Sequence, residues 1–126
     1  MPGRLDAVQA RLDAGQGPET WAPEHAGLTA GDALAILSSP PPAERLVVCH
    51  GDPCAPNTLL DEAGAVVGHV DLGGLGVADP VADLAVAAWS TEWNYGGGYV
   101  EEVYAGYGSS PDPAAVAYYR LLWDLS

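Results

Sequence analysis

Apolar positions along the chain fall into two rhythms. Leu5, Val8 and Leu12 recur at helical spacing, and Gly15 and Gly17 end the run. "LTAGDALAILSS" predicts a second helix, with Thr29 as its N-cap and Asp32 three residues on in the capping-box position. "SSPPPAE" is rich in breakers and predicts a loop. The rhythm then shortens. Leu46 to Cys49 is a brief apolar run, read as a strand that ends at His50. "NTLLD" and "AVVGHVD" flank Glu62, Ala63 and Gly64 and predict a hairpin, whereas "GGLGVADP" reads as a loop. Helical spacing returns from about Pro80 to Trp89, a buried helix with Asp79 as N-cap and proline at its first position. "NYGGG" breaks the chain, "YVEEVYAGYG" predicts another helix, and "SPDPAAVAYYRLLWDLS" the last, with Asp112 as N-cap and Pro113 in the first turn. No internal repeat is present. The expected class is α+β, mostly helical with a small central β-hairpin.

Composition narrows the function more than the fold. A length of 126 residues and a hydrophobic fraction of 48% suit one globular domain. No apolar run approaches the roughly 20 residues of a membrane span. The start, "MPGRLDAVQARLDAG", lacks a basic stretch followed by an apolar core. The expectation is therefore a cytoplasmic protein with no membrane partner. The net charge is −13, and the only basic residues besides histidine are Arg4, Arg11, Arg45 and Arg120. Such a surface repels phosphate backbones, which argues against nucleic acid, and attracts a metal ion or a cationic small molecule. An acidic soluble protein of any function would carry the same charge, so charge alone chooses nothing. Cys49 and Cys54, with His50 and His69, lack the paired spacing of a zinc site and read as reduced core or loop thiols.

The chemistry-bearing residues gather around the hairpin. "HGDPCAPN" places Asn57 five residues after Asp52, and Asp71 ends the second hairpin strand. Protein kinases carry a similar order: an Asp-x-x-x-x-Asn catalytic loop, then a metal-binding aspartate beyond a hairpin. A carboxylate can orient an acceptor hydroxyl and take its proton. A neutral amide oxygen and a second carboxylate suit magnesium, a hard cation that prefers oxygen ligands. Each residue also has a plain structural explanation: Asp52 before Pro53 could start a turn, Asn57 and Asp71 could cap or turn, and His50 could be a core histidine. Only the joint order favours chemistry, and it requires Asp52, Asn57 and Asp71 to converge on one side of the hairpin.

Taken together, "HGDPCAPN" and "HVDLGGLGVADPVADLA" closely resemble the aminoglycoside phosphotransferase family, antibiotic-resistance enzymes with a protein-kinase-like fold. The family pattern H-G-D-x-x-x-x-N is followed by D-x-G-x-x-G-x-x-D-x-x-x-D-[LI]-A, matched here by Asp71, Gly73, Gly76, Asp79, Asp83, Leu84 and Ala85. "TEWNYG" and "AYYRLLWDLS" resemble the 3'-phosphotransferase and streptomycin 3''-phosphotransferase branches. The resemblance implies ATP and magnesium as cofactors and transfer of the γ-phosphate to an aminoglycoside hydroxyl. It implies Asp52 as catalytic base, Asn57 and Asp71 as magnesium ligands, His50 as a brace of the loop, and Asp83 as its anchor. Asp79 reads equally well as a plain N-cap. Glu92 and Asp124 match acidic positions that hold drug ammonium groups. Glu101 and Glu102 read as a solvated helix face, and Trp89, Trp93 and Trp123 as core or pocket wall.

Family members also have an N-terminal lobe with a lysine that reaches the nucleotide phosphates, and this sequence contains no lysine. By resemblance, residues 1–126 form the C-terminal lobe, with the nucleotide lobe absent and Met1 an internal start or a truncation. That predicts an apolar patch near Leu46–Val48 and the first helices, open to self-association. Two other functions stay open: a kinase of another small alcohol (choline, homoserine or macrolide type), and a non-catalytic remnant that binds cationic ligands or a partner.

Overall fold

The computed structural model describes residues 3–126. Five helices form the body: α1 (Arg4–Asp13), α2 (Ala30–Leu37), α3 (Val81–Tyr95), α4 (Val100–Tyr107) and α5 (Pro113–Leu125). Helix α2 starts where its cap residues require. Thr29 Oγ1 accepts from the Asp32 amide at 3.0 Å, and Asp32 Oδ2 accepts from the Thr29 amide at 3.3 Å. Asp112 caps α5 through the Ala115 amide at 3.2 Å, with Pro113 in the first turn. Val8 of α1, Ala33 and Leu37 of α2, and Tyr118, Leu121, Leu122 and Leu125 of α5 make the largest core cluster, closed by Trp21. A second cluster joins Leu84 and Ala88 of α3 to Tyr104 of α4.

The strands form two antiparallel ribbons. One is the expected hairpin, β2 (Thr58–Leu60) and β3 (Val66–His69), with Thr58 opposite His69 and an irregularity between Leu59 and Leu60. The other pairs β1 (Val47–Cys49) with β4 (Gly76–Ala78), in the register Val47–Ala78, Val48–Val77 and Cys49–Gly76. Strand β4 corrects the reading of "GGLGVADP" as loop throughout. Three residues, one of them glycine, carry no alternation, and their hydrogen-bonding partner lies far upstream.

Helix α3 corrects a second boundary, running six residues past Trp89 to Tyr95. Ser90 and Thr91 are buried in it because each hydroxyl donates back into the helix, to Ala87 O at 2.8 Å and Ala88 O at 2.6 Å. Asp79 caps the start of α3 through the Val81 amide at 2.9 Å, and its other oxygen accepts from the Glu44 amide at 2.9 Å. It therefore also holds the loop that leads into β1. Among the described residues, no helix is long and apolar enough to cross a membrane.

Candidate active site

The loop after β1 is built by backbone contact. Gly51 has φ +90°, and a Cβ there would collide with the carbonyl of Gly74. The "HGD" and "DLGG" loops therefore touch main chain to main chain, which only glycine allows at this point. Asp83, in the first turn of α3, accepts from the His50 amide at 2.7 Å and the Gly51 amide at 3.0 Å. The His50 ring spans the two loops, with Nε2 at 2.8 Å from Val70 O and Nδ1 accepting from the Asp52 amide at 3.2 Å. The Arg4 guanidinium donates to Gly51 O and, at 2.7 Å, to Ser126 Oγ, tying α1 and the end of the chain to the same loop. Burial pulls the Arg4 pKa down, and the charges of Asp52 and Asp83 work against that fall.

Asp52 has two unequal oxygens. Oδ1 accepts from Trp123 Nε1 at 3.1 Å and from the Cys54 thiol at 3.2 Å. Oδ2 makes no such bond and is the free end of the carboxylate. The Cys54 thiol stays a donor because burial, reinforced by its bond to Asp52, pushes its pKa up to about 12. Burial likewise pushes Cys49 up to about 11, with Asp83 adding to the rise. Neither cysteine is poised as a thiolate nucleophile. Asn57 donates Nδ2 to Asp52 O at 2.8 Å, which turns its Oδ1 into the unspent end of the amide.

Asp71 follows β3 in the left-handed region, φ 58° and ψ 55°, where it is the sole non-glycine residue with positive φ among those described. Aspartate tolerates this region better than most residues. Its side chain makes no capping bond to the turn that follows, so the carboxylate is also unspent. Asp52 and Asp71 line one open cleft of about 1250 Å³, together with Gly73 to Val77, Arg4, Arg11, Trp123 and Asp124. Asn57 bonds Asp52 as above, and its own carbonyl accepts from the amide of Val70, the residue before Asp71, at 2.9 Å. Among the described residues no three His, Cys, Asp or Glu side chains come together as a metal cluster.

The two acids proposed for acceptor binding are placed differently. Asp124 reaches the cleft, but its Oδ2 accepts from the Ala22 amide at 2.8 Å and contacts His25 Nδ1 at 2.6 Å. It thereby fastens the segment between α1 and α2 to α5. Glu92 is exposed on α3 and is not part of the cleft wall. Trp123, expected as core or pocket wall, and Arg4, which carried no cue in the sequence, both contact the "HGD" loop. Cys54, two residues from Asp52, had a local one.

The pattern of the phosphotransferase enzyme family matches residues 2–119. The chain belongs to this family. An aminoglycoside 3'-phosphotransferase of Streptomyces fradiae is 41% identical over 132 aligned residues, covering 94% of this chain and 49% of that protein. A streptomycin 3''-kinase of Streptomyces griseus is 41% identical across 61% of this chain and 30% of its own length. Among solved structures, an aminoglycoside phosphotransferase from Streptomyces rimosus in complex with ADP and streptomycin superimposes with a TM-score of 0.78 at 30% identity, over 99% of this chain and 52% of that one. The chain spans about half the length of the relatives it matches. Its fold is that of the C-terminal lobe of these kinase-like enzymes, as the sequence motifs had led one to expect.

Proposed function

We propose that these 126 residues carry the catalytic and acceptor half of an ATP-dependent phosphotransferase whose acceptor is an aminoglycoside hydroxyl. The observation that carries the reading is Asp52, held by Oδ1 with Oδ2 free on a cleft shared with Asp71. Asp52 Oδ2 takes the proton of the acceptor hydroxyl as the hydroxyl oxygen bonds the γ-phosphorus and the bond from that phosphorus to the departing ADP breaks. His50, Asp83 and Arg4 position the base by holding the main chain on either side of it. The donor set suits magnesium: the Asn57 amide oxygen and the Asp71 carboxylate are both unspent, and both are oxygen ligands. When bound, the ion would neutralise charge on the nucleotide phosphates. One carboxylate and one amide leave most of its shell to phosphate and water, so magnesium affinity without nucleotide is expected to be weak.

The relatives' own names support the aminoglycoside acceptor, and the acidic surface suits a polycation. The nucleotide clamp is assigned to an N-terminal lobe that lies outside residues 1–126. The chain alone is expected to transfer no phosphate to kanamycin, neomycin or streptomycin at a useful rate, because positioning is most of phosphoryl-transfer catalysis. Fusing the N-terminal half of the Streptomyces fradiae relative to residues 1–126 should give ATP-dependent transfer that Asp52→Asn abolishes. A folded fusion that is inactive, or one indifferent to Asp52→Asn, sinks the reading.

A further inference from the structure

Cys54 lies between Asp52 and Asn57, and the phosphotransferase reading leaves its side chain without a role. Its main chain is fixed from both sides. The Cys54 carbonyl accepts from the Asn57 amide at 2.8 Å, which closes the single turn Ala55–Asn57. The next amide, that of Ala55, donates at 3.0 Å to the fully buried Ser90 hydroxyl of α3. On the other side Pro53 has its φ set by its own ring. The thiol is therefore delivered to one place, 3.2 Å from Asp52 Oδ1. Trp123 Nε1 reaches the same oxygen at 3.1 Å from α5, 71 positions further along the chain.

We infer that Cys54 is a positioning residue for the candidate base: its thiol and the Trp123 indole form a two-donor clamp that fixes the plane of the Asp52 carboxylate. The inference rests on the phosphotransferase reading above and adds a residue to it. One donor on one oxygen leaves a carboxylate free to swing about its Cβ–Cγ bond, because that torsion is broad. Two donors on the same oxygen, arriving from different segments of the chain, remove that freedom. A half-turn only exchanges two identical oxygens, whereas any smaller rotation strains both bonds at once. The oxygen left over therefore always faces the same way, and a base must lie within hydrogen-bond reach of the proton it takes. Cys54 itself takes no proton and touches no reacting atom. A cysteine that merely filled space would behave as a small apolar residue, and alanine would then replace it better than serine. The clamp predicts the opposite order.

Two measurements test the clamp. The first is the S–H stretching band of Cys54 in the 126-residue chain, assigned by its loss in Cys54→Ala. It should lie low, as for a thiol that donates to a carboxylate, and move up in Asp52→Asn. A band that Asp52→Asn leaves in place overturns the inference. The second is kinetics of the fusion with the N-terminal half of the Streptomyces fradiae relative. Cys54→Ala should lower kcat about tenfold with KM for kanamycin unmoved, and Cys54→Ser, which keeps a donor, should recover most of that loss. Melting temperatures at neutral pH should stay close to the parent's in both variants. A parent-like kcat in Cys54→Ala, equal losses in the two variants, or a loss confined to KM overturns the clamp. Each of these leaves the phosphotransferase reading standing, provided Asp52→Asn still abolishes transfer. A folded fusion that transfers nothing sinks that reading, and the role of Cys54 falls with it.

Discussion

Gly51 meets two separate constraints at one position. Its φ of +90° strains any other residue, and a Cβ there would strike the main chain of Gly74. Gly64, at the hairpin turn, has φ +83° but open space around it. Gly64→Ala should therefore cost about 1 kcal/mol, and Gly51→Ala about 3 kcal/mol, because overpacking adds to the conformational strain. Urea unfolding of the two variants checks this, and equal losses would mean that the Gly51–Gly74 contact contributes nothing. The thiols give a pH dependence of definite sign. Folding raises Cys49 from 9.0 to about 11 and Cys54 from 9.0 to about 12, and burial also raises Tyr118 and Tyr119. The folded state holds these protons more tightly than the unfolded chain does. The associated stability is complete below pH 9 and is lost as pH rises through 11 toward 12. Melting temperatures should fall over that window, and less steeply in Cys54→Ala. A flat profile would show that the thiols are not shielded.

At the scale of the element, helix starts are settled by side chains one turn away. Thr29 and Asp32 satisfy each other's amides, so Thr29→Ala should cost about 1 kcal/mol, read from thermal or urea unfolding. Ends and short strands obey different rules. Helix α3 outruns its apolar pattern because Ser90 and Thr91 bond back to its own carbonyls and are buried by neighbouring helices. Strand β4 exists only by virtue of β1, since three residues cannot stand as a strand without a partner. The pairing also aims the site: β1 delivers the "HGD" loop to the start of α3, where Asp83 receives it.

Across the whole molecule, the β1–β4 ribbon buries one face, with Cys49 and Ala78 in the core, and leaves the other open, while the hairpin leaves most of its apolar side chains exposed. Val48 is 73% exposed, Val77 54%, Val67 64% and Leu46 66%. The expected patch thus lies mainly on the strands, while Leu5 and Ile36 of the first helices contribute 43% exposure each. Val48 and Val77 are directly opposed in the β1–β4 register, so both belong to one surface. Apolar surface of this kind favours association or the binding of a hydrophobic dye. Sedimentation at rising concentration should reveal self-association, reduced by the paired change Val48→Thr and Val77→Thr, which keeps strand propensity. A dye-silent monomer at high concentration would show that the net charge of −13 outweighs the exposed strands.

What the sequence determined by itself is whatever acts over one or two turns of chain. Thr29 and Asp112 announce their helices, Glu62 to Gly64 announces the hairpin, and the order Asp52, Asn57, Asp71 announces the family. Tertiary structure decided which groups meet. Trp123 reaches Asp52 across 71 positions, Arg4 reaches Ser126 across 122, and Asp124 turns to His25 across 99. None of these partners has a local signature, because a tryptophan or an arginine has the same propensities whether it packs or binds. Only the packing of α5 against the "HGD" loop fixes which oxygen of Asp52 is tied to Trp123 and which is free, and the proposed base role of Asp52 rests on that distinction.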